Sequence, residues 1–304
     1  MNEENSKNLS ASVHQRLLNK AKESSRPFNE LLQHYAIERF LYRLSMTAYA
    51  EKFFLKGALM FSVWSGPWTR PTMDIDLLGQ IDNSLETIVA AVKEACEVKV
   101  EADGLSFDPE TVAAERIVED AFYEGVRVRM QGLLGSARIN LQVDIGFGDE
   151  IVPGSYRISY PALLDFPAPA LKGYTMESTI AEKFQTMVKL GVLNSRMKDF
   201  YDIWMLSRSF NFKGEMLGHA IHRTFTNRNT PFNAAPAIFH PSFIKDENNR
   251  RQWRGFVRKA KLADAPENFE GVVEAIRVFL EPITACLVQE RSFHGIWHAP
   301  GPWR

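Results

Sequence analysis

Apolar residues recur at intervals of three and four from Ser10 to about Tyr49, in Val13, Leu17, Leu18 and Ala21 and then in Leu31, Leu32, Tyr35 and Ile37 to Leu44. That period is helical, and Pro27, between the two sets, most simply opens the second helix at its first turn. The pattern then shortens. Phe53-Phe54-Leu55 reads as a buried strand, Lys56-Gly57 breaks it, and Ala58 to Trp64 has helical composition. Beyond it Thr72, Asp74 and Asp76 alternate with Met73, Ile75 and Leu77. An extended chain therefore turns the oxygens to one face and the apolar side chains to the other.

Asp82-Asn83-Ser84 predicts an N-cap for a helix carrying Leu85, Ile88, Val89, Val92 and Cys96 on one side. Strands are expected over Val98–Asp103, Ala121–Gly132 and Arg138–Gly146. In the second, Arg127 and Arg129 share a face; in the third, Asn140, Gln142 and Asp144 lie opposite Ile139, Leu141, Val143 and Ile145. The prolines of Pro153–Tyr174 predict an extended crossover between lobes, with a boundary near 155–175. Helical periodicity returns at Met176, and Phe269 to Gln289 reads as a last long helix. The pattern as a whole is α+β: N-terminal helices packing on the core (1–49), a lobe with strands and helices (50–160), and a mainly helical C-terminal lobe (161–304).

Composition narrows this little. A chain of 304 residues holds one large or two medium domains, and 45% hydrophobic with 24% charged residues is ordinary for a soluble globular protein. A net charge of −1 argues against a general nucleic-acid coat protein but leaves room for a local basic patch. Cys96 and Cys286 form no CxxC pair, so neither a zinc site nor a disulfide framework is expected. With no membrane-length apolar run and a polar start lacking a signal-peptide core, the expectation is a soluble, cytoplasmic protein.

The candidate chemistry begins at Asp74 and Asp76. Two carboxylates held this close repel each other, an arrangement tolerated where a divalent cation sits between them; Mg²⁺ suits such oxygens and also binds phosphates. The alternative is a pair that merely ends a strand. The Lys56-Gly57 turn leaves backbone N–H groups at a helix start, where glycine lets a phosphate approach. Asp144 is a lone carboxylate near a strand end, either functional or marking the turn at Gly146; Asp149, in the following loop, is a weaker candidate. Lys183 shares an apolar face with Ile180, Phe184 and Met187, so it either snorkels or points its ammonium into a cleft. Asp199 and Asp202, near the start of the next helix, suit its dipole whatever else they do. Lys245 to Lys261 holds seven Lys/Arg against two acids, with Trp253 and Phe256 interleaved. This is either an RNA-contacting surface or the solvated face of a helix buried through its aromatics. The histidines of the C-terminal tail have no metal-like partners.

Lys56-Gly57-Ala58-Leu59 followed by Arg70-Pro71-Thr72-Met73-Asp74-Ile75-Asp76-Leu77 resembles the first motif of the AbiEii/AbiGii toxin family of nucleotidyltransferases, members of the DNA polymerase β-like superfamily. The family often carries Lys-Gly-Gly where this chain has Lys-Gly-Ala. Ala181-Glu182-Lys183 and Lys198-Asp199-Phe200-Tyr201-Asp202 are similar to its later motifs, so the resemblance covers about residues 50 to 210. It implies a polymerase β-like nucleotidyltransferase lobe with a mixed sheet, followed by a helical lobe that closes a cleft, with Asp74, Asp76 and Asp144 as Mg²⁺ ligands. Lys56, Gly57 and Thr72 would contact the nucleotide. Lys183 would hold the triphosphate, and Asp199 would orient Lys183 or the acceptor, a role Asp202 could share.

The activity so implied is transfer of NMP from NTP to an acceptor, in some members a tRNA 3′ end, by a toxin that acts beside a cognate antitoxin in an abortive-infection system. Two other readings stay open. One is a small-molecule or protein nucleotidyltransferase using the same carboxylates; the other is a non-catalytic nucleotide-binding interaction protein, against which the intact Asp74, Asp76 and Lys183 speak.

Overall fold

A computed structural model describes residues 3–66, 72–119, 123–262 and 264–304. Arg70 and Pro71 of the first motif, and the expected strand start at Ala121, lie outside the described residues. The chain divides into two compact units, Met1–Gly148 with Tyr156–Tyr174 and Asp149–Ser155 with Thr175–Arg304.

In the first unit the N-terminal periodicity forms α1 (Glu3–Ser24) and α2 (Phe28–Ser45), with Pro27 at the N-cap of the second, one residue before the expected position. There follow β1 (Phe53–Lys56), α3 (Leu59–Ser65), β2 (Asp74–Gly79), α4 (Leu85–Glu97), β3 (Leu105–Glu119), β4 (Tyr123–Leu134), β5 (Ala137–Phe147), β6 (Tyr156–Ser159) and β7 (Ala170–Gly173). Ser84 caps α4 as its sequence predicts, accepting from the Thr87 amide. The seven strands form one sheet in the order β3-β4-β5-β2-β1-β7-β6. It is mixed: β2 runs parallel to β5 and β1 parallel to β7, and the other neighbours are antiparallel. Ile75, Leu77, Val126, Val128, Met130, Leu141, Val143 and Ile145 are all buried, and α2 and α4 pack against the sheet. The alternating polar residues are thereby left on its other face.

Two expected segments differ, and β3 occupies a stretch for which no element was expected. Val98–Asp103 is not a strand, because Asp103 is drawn into the core: Arg43 forks onto both its carboxylate oxygens at 2.7 and 3.0 Å, and the Tyr35 hydroxyl donates to its carbonyl at 2.6 Å. The proline-rich stretch expected as a crossover supplies β6 and β7 to the sheet, its prolines falling between and before the paired residues.

The second unit contains α5 (Met176–Leu190), α6 (Met197–Ser209), β8 (Phe212–Lys213), α7 (Gly214–Asn227), α8 (Pro241–Ile244), α9 (Glu247–Ala260), α10 (Phe269–Val288) and β9 (Ile296–Trp297). Phe184, Phe200, Phe225, Trp253, Phe269 and Phe279 fill its core. The segment Asp149–Ser155 is fastened to these helices: Arg228 forks onto Asp149 at 2.9 and 2.7 Å, and Thr175 Oγ1 donates to the Val152 carbonyl at 2.6 Å. The tail adds β9, whose Trp297 indole donates to the Ser207 carbonyl at 2.6 Å. No helix among the described residues is long and apolar enough to cross a membrane.

Candidate active site

The site on the sheet is built by register. Lys56 ends β1 opposite Asp76 of β2, Asp76 pairs with Asp144 of β5, Asp144 with Arg127 of β4, and Arg127 with Glu115 of β3. Partners in register project to the same face, so five strands contribute one continuous charged row. Beside it runs a second row, Asp74 with Gln142 and Gln142 with Arg129. Asp74 is exposed and Asp76 half-buried.

Gly57 fixes how closely the turn approaches this row. Its φ of +69° lies in the region only glycine adopts freely, and a Cβ there would overlap Asp76 Oδ2 and stand 2.7 Å from Asp76 Cγ. Lys56 is buried at the end of β1. Thr72 lies just before β2 rather than within it, its hydroxyl directed at the Asp74 carbonyl at 3.4 Å.

Asp144 is tethered. Arg127 Nε donates to its Oδ1 and Nη2 to its Oδ2, both at 2.8 Å, and Gln142 Nε2 reaches Oδ2 at 3.3 Å. The hydrogen bonds to Asp144 raise the Arg127 pKa above its ordinary value, against partial burial, with smaller contributions from the charges of Asp144, Asp74 and Glu115. On sequence alone Arg127 and Arg129 share a face and neither has a role. The alternation Val126-Arg127-Val128-Arg129 carries the signal, but the partner lies 17 residues away across a hairpin. A groove of about 530 Å³ opens beside Asp74, lined among others by Gln33, Thr111, Arg129, Gln131, Asn140 and Gln142.

The donor set fits a hard divalent cation at Asp74 and Asp76, where two carboxylates alternate onto one exposed face. It fits less well at Asp144, whose oxygens already accept from a guanidinium. Among the described residues no three His, Cys, Asp or Glu side chains are grouped so as to hold a metal ion.

In the helical unit, Lys183 of α5 does not snorkel. Its Nζ lies 2.8 Å from Asp199 Oδ1 and 2.8 Å from Asp202 Oδ2, and both carboxylates are fully buried. Arg196, which the sequence did not single out, reaches Asp199 Oδ2 with Nε at 2.5 Å. Burial pushes the Asp199 carboxyl up, but the charges of Lys183 and Arg196 and the Arg196 hydrogen bond outweigh it and hold the group well below the usual carboxylate range. Asp199 holds Arg196 as well as Lys183. Asp149, the weaker candidate of the sequence, belongs to the buried pair with Arg228.

The basic segment forms α9. Trp253 is fully buried and its indole donates to the Pro266 carbonyl at 2.8 Å, while Phe256 packs on Trp253 and Tyr201 with centroids 5.8 and 6.0 Å away. Trp253 is thus core and not a stacking platform. Arg251, Arg254, Arg258 and Lys261, spaced by three and four, are exposed along one ridge. A cavity of about 950 Å³ elsewhere in this unit, lined by His219, His222 and Phe232 among others, includes none of these charged groups.

The sheet thus carries paired carboxylates on β2, a third in register on β5, and a strand–glycine–helix unit packed onto Asp76. The family comparison is specific: residues 39–275 match the family described as "Nucleotidyl transferase AbiEii toxin, Type IV TA system". The chain belongs to that family. Two crystal structures from H. pylori are similar to it. One, of a candidate nucleotidyltransferase, shares 14% identity with a TM-score of 0.43 over 87% of this chain and 98% of that one. The other, JHP933, shares 12% identity with a TM-score of 0.43 over 86% and 92%. No curated protein matches it.

Proposed function

We propose that the chain is a Mg²⁺-dependent toxin that moves NMP from an NTP to an RNA acceptor, a tRNA 3′ end, and is restrained by a cognate antitoxin in the cytoplasm. The observation that carries this reading is the in-register placement of Asp76 beside Asp144, with Asp74 on the same face.

Asp74 and Asp76 would hold the divalent ion, which when bound would neutralise charge on the triphosphate. Lys56 and Gly57, which adjoin Asp76, and Thr72, just before β2, would contact the phosphates. The acceptor hydroxyl, giving up its proton to water, attacks the α-phosphorus, the bond from that phosphorus to the oxygen bridging the β-phosphate breaks, and pyrophosphate leaves. Asp144, fixed by Arg127, orients that hydroxyl. Lys183, held by Asp199 and Asp202 within the helical unit, is by the family's pattern the cation for the triphosphate, with Asp199 as its positioning residue. The exposed ridge of α9 favours an RNA acceptor over a small molecule, since a row of cations at helical spacing suits a phosphate backbone.

The test is pyrophosphate release from each NTP with Mg²⁺, in the presence and absence of total tRNA, by wild type and Asp76→Asn. RNA-stimulated release that the substitution abolishes is expected. Release indifferent to RNA would move the acceptor, and none with any NTP would remove the enzymatic reading.

A further inference from the structure

The expected third metal ligand is already occupied by protein. A carboxylate offers about four lone-pair positions. At Asp144 two of them accept from Arg127 at 2.8 Å, in the paired geometry that makes arginine–carboxylate contacts strong, and a third faces Gln142 at 3.3 Å. The guanidinium is also held where it is. Glu115, its neighbour in register on β3, is engaged by Arg129 at 2.7 Å, which leaves Arg127 facing Asp144. An arginine carries its charge at any working pH and offers fixed, planar donors, so it is a permanent cation beside the carboxylates.

We propose that the Arg127 guanidinium stands in for a second metal ion: the site takes one divalent cation, at Asp74 and Asp76, and Asp144 stays clamped outside its coordination sphere. This rests on the reading of Asp74 and Asp76 as a cation site and goes beyond it. Two-metal sites place their ions about 3.5–4 Å apart, one of them beside the attacking oxygen. Here the positive charge on that side is supplied by the chain. The attacking hydroxyl is then positioned by hydrogen bonds from Arg127 and to Asp144.

The experiment counts ions. Mn²⁺ is titrated into wild type, Arg127→Met, Arg127→Lys and Asp74→Asn, each with the α,β-methylene analogue of each NTP, and bound Mn²⁺ is read by EPR against a protein-free titration. One ion per chain is expected for wild type and Arg127→Lys. Two ions, close enough for a Mn–Mn coupling in the spectrum, are expected for Arg127→Met, with melting of the variants followed to establish that they are folded. Two ions in wild type overturn the inference and leave the cation site standing, as does a single ion in folded Arg127→Met. No bound ion in wild type, or undiminished binding in Asp74→Asn, overturns the cation site itself and the inference with it.

Discussion

Gly57 and Asp76 are packed so closely that no side chain fits between them: a Cβ on Gly57 would overlap Asp76 Oδ2. The glycine of the first motif therefore has a steric reason, independent of any ligand. Gly57→Ala meets both a positive-φ cost of about 1–2 kcal/mol and a clash of similar size. The variant is expected to lose roughly 2–4 kcal/mol of stability in urea unfolding and most of its transfer activity. Stability within about 0.5 kcal/mol of wild type would show that the turn relaxes freely.

Asp199 balances two cations in a buried setting, so Asp199→Asn is expected to cost about 3 kcal/mol or more. Its pKa is depressed in the fold. Its contribution is therefore complete above its ordinary value of 3.8 and disappears as pH falls below it toward the depressed value. The stability gap between wild type and variant should shrink only below about pH 4. A gap that closes between about pH 5 and 7 would contradict the assignment.

Glu38 is the opposite case. Burial raises its carboxyl to about 7, against the pull of Arg39, whose Nη2 lies 2.6 Å from Oε1. A raised acid favours the fold when protonated, so its contribution is full below its ordinary 4.5 and is lost as pH rises through about 7. Wild type should lose stability relative to Glu38→Gln over that interval, by at most about 1.4 kcal/mol per pH unit. Parallel melting curves across it would place the Glu38 pKa elsewhere.

Much of the fold was legible because it rests on local pattern. Alternation in Asp74–Leu77 and Arg138–Gly146, and Ser84 ahead of an apolar repeat, are properties of short windows. The features that were not legible depend on partners distant in sequence. Asp103 leaves its expected strand for Arg43, 60 residues earlier. The Arg127–Asp144 fork needs the register of β4 on β5, and the shared hold of Asp199 and Asp202 on Lys183 needs α5 packed on α6. Periodicity favours a snorkelling Lys183 because it reports which face a residue occupies, not which carboxylates wait there. Trp253 shows the converse, an aromatic amid arginines that composition matches to RNA and packing assigns to the core.

The ridge of α9 gives a separable prediction. Reversing Arg251, Arg254 and Arg258 to Glu should weaken RNA binding and lower the salt dependence of log K by about one unit for each phosphate the helix no longer neutralises. Nucleotide-analogue affinity should stay constant. RNA affinity and salt slope unchanged in the triple variant would place the acceptor surface elsewhere.

The most direct measurement is transfer of label from each α-³²P NTP, with Mg²⁺, into total tRNA, into the protein itself and into small-molecule extract, for wild type and Asp74→Ala. Label is expected at RNA 3′ ends from one or a few of the nucleotides, abolished in the variant. Label that persists in Asp74→Ala, or that enters no acceptor with wild type, would contradict it.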